Sequence, residues 1–214
     1  MHALCWTPIS RLFCGNYAVS NLQADELIAL ASEKGASLWK ATGLLMQGSI
    51  FALTGKASDA VQVITSGHSA YRSTGATLFG PLFLSYLAIA HADPDEFDDV
   101  WCCISEAMTA VQTTKETWFE AEVNRIAGEI TLLSPKSDAA KAQAYFDCAL
   151  AIARAQQAKS WELRAAMSMA RLKHDQGKRD EARDLLAPIY GWFTEGFDTL
   201  DLKQAKALLG ALRA

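Results

Sequence analysis

The sequence predicts an all-α fold, a right-handed superhelix (solenoid) of stacked antiparallel helix pairs closed by a C-terminal capping helix. Three observations predict it. Alanine, the best helix former, accounts for 37 of the 214 residues and proline for only 5, so the composition favours helix along the whole chain. Apolar stripes recur with a fixed offset: Ala60, Val61, Ile64, Gly67, His68 and Tyr71 map, 40 residues on, to Val100, Trp101, Ile104, Ala107, Met108 and Val111. The same offset carries Ala142, Tyr145, Phe146, Ala149, Ile152 and Ala153 onto Ala182, Leu185, Leu186, Ile189, Trp192 and Phe193. Steps of three and four place each set on one helix face and exclude strand alternation. Third, hydroxyl residues suited to helix N-caps stand at Ser37, Thr77, Thr117 and Ser160, spaced 40, 40 and 43 residues apart. A fixed period of this length is the mark of a repeat architecture.

Taken in order, residues 1–36 read as an irregular N-terminal helix pair. Its first member lies within 1–14 and is interrupted by Pro8; a Gly15-Asn16 turn precedes a second from Leu22 to Lys34, with Ala24, Leu27, Ile28 and Ala31 facing inward. Four repeats follow, at 37–76, 77–116, 117–159 and 160–197. Each opens on its hydroxyl cap and a bulky pair: Leu38-Trp39, Leu78-Phe79, Trp118-Phe119, and Trp161 with Leu163. Glu120 is placed to complete a capping box with Thr117. Ten or eleven residues after each cap stands a small residue, Gly48, Ala88, Gly128 or Ala170, which leaves room for the second helix of the pair. Turns fall at Gly55-Lys56, Asp93-Pro94-Asp95, Ser134-Pro135-Lys136-Ser137 and Gly177-Lys178. They are short, so the paired helices run antiparallel. After Gly196, residues 198–214 form the capping helix, started by Asp198 or Thr199, with Leu202, Ala205, Leu208, Leu209 and Leu212 on one face. A solenoid end needs such a cap. The whole chain, 1–214, is expected to be one structural domain.

Charge and composition narrow the function classes. Twenty basic residues against 24 acidic ones give a net charge of −4, with no long run of either sign, which disfavours nucleic acid and anionic membrane as partners. No segment reaches the roughly 18 consecutive apolar residues of a membrane span, and Arg11 follows the first apolar stretch instead of preceding it. A cytoplasmic location is expected. The five cysteines, Cys5, Cys14, Cys102, Cys103 and Cys148, form no C-x-x-C pair, and the four histidines are scattered singly. No metal framework can be read from that spacing, and no cofactor is expected.

Three motifs occur in order between Phe146 and Leu209: Cys148-Ala-Leu-Ala-Ile-Ala-Arg, then Gln157-Ala-Lys-Ser-Trp-Glu-Leu-Arg-Ala-Ala-Met-Ser-Met-Ala-Arg-Leu, then Tyr190-Gly-Trp-Phe-Thr-Glu-Gly-Phe-Asp-Thr-Leu-Asp-Leu. Weaker echoes lie upstream in Ala70-Tyr-Arg-Ser-Thr-Gly-Ala and Ala121-Glu-Val-Asn-Arg-Ile-Ala-Gly-Glu-Ile. With them the chain, from about Leu22 onward, resembles the C-terminal tetratricopeptide-like region of bacterial multidomain signalling proteins. Those proteins carry an adenylate-cyclase-type or winged-helix domain and a predicted ATPase domain ahead of the repeats. The resemblance implies a helical interaction or regulatory region. The chain departs from the multidomain pattern in having no G-x-x-x-x-G-K-[ST] phosphate loop and no recognisable pair of cyclase aspartates. It is expected to be either a piece of a longer protein or a free-standing repeat protein.

Function is therefore expected to be the binding of a protein or peptide partner in the concave groove, which first helices line. The candidate contact residues are Glu122, Arg125 and Glu129 on one first helix and Glu162, Arg164 and Arg171 on the next; the spacing of the first three equally suits ordinary helix-surface ion pairs. Trp192, Phe193 and Phe197 read either as an interaction knob or as the plug between the last repeat and its cap, and the inward stripe favours the plug. His68 and Tyr71 near Arg72 could in principle act as base and proton donor, and His91 stands beside Asp93 and Asp95. Neither has a nucleophile elbow or paired carboxylates beside it, so no catalytic residue is assigned. A small-ligand sensor, with a metabolite in the groove, and an enzyme with a pocket on the concave face are the alternatives. The apolar N-terminal face (Leu4, Cys5, Trp6, Ile9, Leu12, Phe13) is expected either in a homodimer contact or packed on the first repeat.

Overall fold

The computed structural model describes residues 2–92 and 97–213. The described residues form eleven helices and no strand: α1 (His2–Phe13), α2 (Tyr17–Glu33), α3 (Ser37–Leu53), α4 (Ala57–Ser73), α5 (Gly80–Ala90), α6 (Phe97–Thr114), α7 (Glu120–Leu133), α8 (Ala139–Ala155), α9 (Lys159–Asp175), α10 (Arg179–Tyr190) and α11 (Leu200–Ala211). Neighbouring helices pack in pairs, α3 with α4, α5 with α6, α7 with α8 and α9 with α10. The chain divides into two compact units, Met1–Glu116 and Thr117–Ala214. None of the helices is long and apolar enough to cross a membrane. The Asp93-Pro94-Asp95 turn lies outside the described residues.

The turns explain the pairing. Chain direction reverses at residues held with positive φ, at Gly15, Gly35, Gly55, Gly75, Lys115, Gln157, Gly177 and Gly196. Five of these reversals close with a bond from one amide to the carbonyl five residues back: Asn16 to Arg11, Ala36 to Ala31, Lys56 to Phe51, Ala158 to Ala153 and Lys178 to Lys173. That bond satisfies an orphan carbonyl at the helix end, and three residues separate the two helices at each of the five. Lys115 and Gln157 adopt a conformation that favours glycine, at φ 61° and 55°.

The hydroxyl caps expected at Ser37, Thr77, Thr117 and Ser160 are not made. Ser37 and Ser160 lie inside α3 and α9, whose N-caps are Ala36 and Ala158 without side-chain bonds. Thr77 and Thr117 contribute backbone carbonyls, accepting from Gly80 and Glu120 across a turn that precedes the helix. Both turns are bonded by side chains distant in sequence. The Glu116 carboxylate accepts from the Phe79 amide at 2.8 and 2.9 Å, and 40 residues on Gln156 donates to the Thr117 carbonyl at 2.9 Å. Among the described residues Asn16 and Asp138 are the side chains that do cap, at α2 and α8.

The expected small-residue positions hold. A Cβ on Gly48 would stand 2.5 Å from Ile64 Cγ1, and one on Gly128 would stand 2.7 Å from Phe146 Cδ1, so second helices approach first helices there more closely than any side chain permits. Ala88 and Ala170 are fully buried. In the first unit Phe79 and Phe83 stack edge to face and Tyr71 packs on Phe83. In the second, Phe146, Leu163, Leu186 and Leu202 share one core.

Three boundaries differ from expectation, the first being the start of α2, at Tyr17 and not at Leu22. Pro8 does not interrupt the first helix; α1 runs through it, and the Pro8 carbonyl accepts from buried Ser20 at 2.8 Å. Cys5, Ile9 and Leu12 of α1 are buried, and α1 packs on α2 and α3. At the other end α10 stops at Tyr190, two residues beyond Pro188, which lacks an amide and restrains the residue before it. Trp192 therefore leaves the inward stripe and is 58% exposed; Phe197 is 46% exposed. Neither is a plug, although Phe193 does pack against the core.

Candidate functional site

The charged residues singled out on the first helices are brought together in the second unit, though not as a row of exposed contacts. Glu122, Arg125 and Glu129 follow one another at three- and four-residue steps along α7, and Arg164, Ser168 and Arg171 do so along α9, so each set forms one stripe. The helices α7 and α9, and α9 and α11, pack side by side. The stripes consequently meet.

Glu122 sits at the centre, its side chain 2% exposed. Arg125 donates to both its oxygens, Nε to Oε2 at 2.8 Å and Nη2 to Oε1 at 2.9 Å, the fork geometry that suits a carboxylate best. Arg164 donates to the same Oε1 at 3.2 Å and, through Nε, to Asp201 on α11 at 2.7 Å. On the other side Arg125 Nη1 reaches Glu129 at 3.1 Å and the Ser168 hydroxyl at 3.3 Å, while Ser168 donates to Glu129. Arg164 also lies over the Trp161 ring, 5.1 Å from its centroid. Three carboxylates thus surround two guanidiniums across three helices.

Electrostatics follow from that count. Burial alone would raise the Glu122 carboxyl, but Arg125 and Arg164 outweigh it and hold the group below its ordinary value. Burial raises Asp201, against the pull of Arg164 and with a further push from Glu122. Arg125 is lowered by burial and raised more by Glu122 and Glu129, so it stays charged. A second buried acid, Glu162, is held separately by Arg154 at 3.0 Å and Lys159 at 2.7 Å. Its carboxyl, raised by burial, is brought below the ordinary range by those two cations.

The five assigned contact residues therefore divide. Glu122, Arg125 and Arg164 pair with one another and with Asp201 as cross-links between the helices. Glu129, 38% exposed, and Arg171, exposed at the end of the α9 stripe, reach solvent. Sequence reasoning missed Ser168 and Asp201. The available signal was a first-turn acid on each successive first helix, Glu120 or Glu122, Glu162 and Asp201.

Elsewhere, His68, Tyr71 and Arg72 line a cleft of about 280 Å³ in the first unit. The Tyr71 hydroxyl is pushed up to about 12 by burial, and His68 is lowered, chiefly by burial. Burial likewise raises the Cys5, Cys103 and Cys148 thiols, Cys103 to about 11, so these carry little thiolate at neutral pH. Among the described residues no three His, Cys, Asp or Glu side chains converge as metal ligands. Compared with known families and with curated proteins, the chain matches no family model and no curated protein.

Proposed function

We propose that the chain is a tetratricopeptide-like repeat module that binds a protein or peptide partner along its first helices, as the regulatory or scaffold part of a signalling system. One observation supports this reading above others: the two first helices of the second unit, α7 and α9, and the C-terminal helix α11 gather polar side chains on one face. In a stacked helix-pair architecture that face is the inner wall. The cross-linked centre fixes the spacing of the three helices, and Glu129 and Arg171 offer one charge of each sign to an incoming chain. The partner this suits is a peptide with mixed charge, an acidic residue for Arg171 and a basic one for Glu129.

Selection of a displayed random peptide library on the immobilised chain tests the proposal. The expected result is a binder whose affinity falls at least about fivefold in Arg171→Gln and in Glu129→Gln. No selectable binder, or affinities unchanged in both variants, would overturn it.

A further inference from the structure

The cleft in the first unit differs in kind from the α7–α9–α11 face. Helices α4 and α6 each pack on α5 but not on each other, and the lining of the gap between them includes the small groups Ala76, Gly80 and Ala110 and the apolar Leu84. Among the described residues no side chain fills it, and about 280 Å³ remains.

Two opposite charges face each other across the gap. Arg72 on α4 and Glu106 on α6 approach to 3.5 Å, with side chains 65% and 53% exposed. A charge-assisted bond is about 2.7–2.9 Å long, and the pairs of Arg125 and Arg164 in the second unit, at 2.7 to 3.2 Å, come closer to that value. An exposed pair at the longer distance contributes little to stability and exchanges readily for better partners. Beside Glu106 runs a set of threonines whose hydroxyl protons are already given away: Thr109 to the Ser105 carbonyl at 2.8 Å, Thr113 to Thr109 at 2.9 Å and Thr114 to Ala110 at 2.8 Å. What those oxygens can still offer is lone pairs, although Thr114 already accepts from the Glu116 amide at 3.2 Å. His68, lowered mainly by burial, adds no charge at neutral pH. The cleft therefore presents a forked donor on one wall, a carboxylate with hydroxyl acceptors on the other, and apolar groups in its lining.

We propose that this cleft binds a small zwitterion of the α-amino acid class. The ligand's carboxylate takes the Arg72 guanidinium, its ammonium takes Glu106 and the threonine oxygens, and a short aliphatic side chain rests on Leu84 and Ala110. Binding replaces one loose ion pair by two well-made ones and leaves the net charge of the site unchanged. A doubly charged anion or a simple cation would leave one of the two walls unpaired.

Isothermal titration calorimetry of the full chain with L-valine as probe tests the inference, with N-acetyl-L-valine and L-valine methyl ester as ligands lacking one charge each. L-valine is expected to bind, and each blocked form to bind at least about tenfold more weakly, since each leaves a charged wall unpaired. Arg72→Gln and Glu106→Gln are each expected to reduce L-valine affinity by a similar factor, with circular dichroism unchanged because both side chains are exposed. No binding of L-valine, equal binding of a blocked form, or full affinity in both variants would overturn the assignment. The blocked ligands decide the matter on the parent protein alone, whatever the variants do to the fold.

Discussion

Replacing Gly128 by alanine adds one methyl group where α7 and α8 come closest. A Cβ there would stand 2.7 Å from Phe146 Cδ1, with Cε1 closer still. Ordinary contact begins at 3.4 Å, so the ring must withdraw by at least 0.7 Å. It has little room, because Phe146 is fully buried and shares its core with Ala142, Ala149 and Ala166, themselves fully buried. Overpacking of this kind costs about 1–3 kcal/mol, and the better helix propensity of alanine returns up to about 1 kcal/mol. Gly128→Ala should therefore destabilise the protein by about 1–2 kcal/mol. The matched control is Gly210→Ala on α11, where a Cβ meets nothing within 4 Å; it should stabilise by a few tenths up to about 1 kcal/mol. Urea unfolding followed by far-ultraviolet circular dichroism measures both. The double variant Gly128→Ala with Phe146→Leu should lose less than the sum of the two single changes, because the smaller side chain relieves the clash. A Gly128→Ala protein as stable as the parent, or strict additivity in the double variant, would refute the close-approach argument.

Other consequences can be measured on the same footing. Arg164→Met leaves Glu122 and Asp201 short of a partner and should cost about 2–4 kcal/mol, the buried-pair value discounted for partial exposure; Arg183→Ala, which breaks an exposed pair with Asp180, should stay within about 0.5 kcal/mol. Because the Glu122 carboxyl is depressed in the folded chain, its contribution is present above the unfolded value of about 4.3 and lost as pH falls through the folded one. Asp201, raised in the folded chain, works in the opposite sense, so the difference in unfolding midpoint between parent and Glu122→Gln, followed from pH 5 down to pH 3, isolates Glu122 and should shrink with acid. Lys115→Gly and Gln157→Gly relieve positive φ at two helix ends and should each stabilise by about 0.5–1 kcal/mol; a loss in both would contradict the turn geometry. Trp192→Ala should change stability by less than about 1 kcal/mol, where a core plug would lose several times that.

Much of the fold was legible because it rests on periodicity. The stripe Ala60, Ile64, Gly67, Tyr71 and its copy Val100, Ile104, Ala107, Val111 are buried residue for residue, since three-and-four spacing leaves a helix no other way to hide its apolar face. Gly48 and Gly128 were legible for the same reason. Helix starts were not, because a hydroxyl two residues into a helix and one at its cap look alike in sequence. Thr77 and Thr117 supply carbonyls to a turn whose remaining partners, Glu116 and Gln156, come from just past the end of the helix after next, α6 and α8. No local motif encodes that. Lys115 and Gln157 occupy positions where Gly35 and Gly75 had shown the pattern, and residue type concealed them. The charged residues were found by helix spacing on α7 and α9, but spacing within a helix does not report burial. Glu122 is enclosed because Arg164 arrives from α9 and Asp201 neutralises the remaining guanidinium face from α11. Pro188 was present in the sequence as a signal, and its effect on the end of α10 accounts for the exposure of Trp192.

The most direct test of partner binding by the first helices is hydrogen–deuterium exchange of the full chain with and without a peptide selected on it. Protection concentrated in α7, α9 and α11, around Glu129 and Arg171, and lost in Arg171→Gln, is the predicted result. Protection confined to the second helices α8 and α10, with α7 and α9 exchanging as in the free chain, would contradict it.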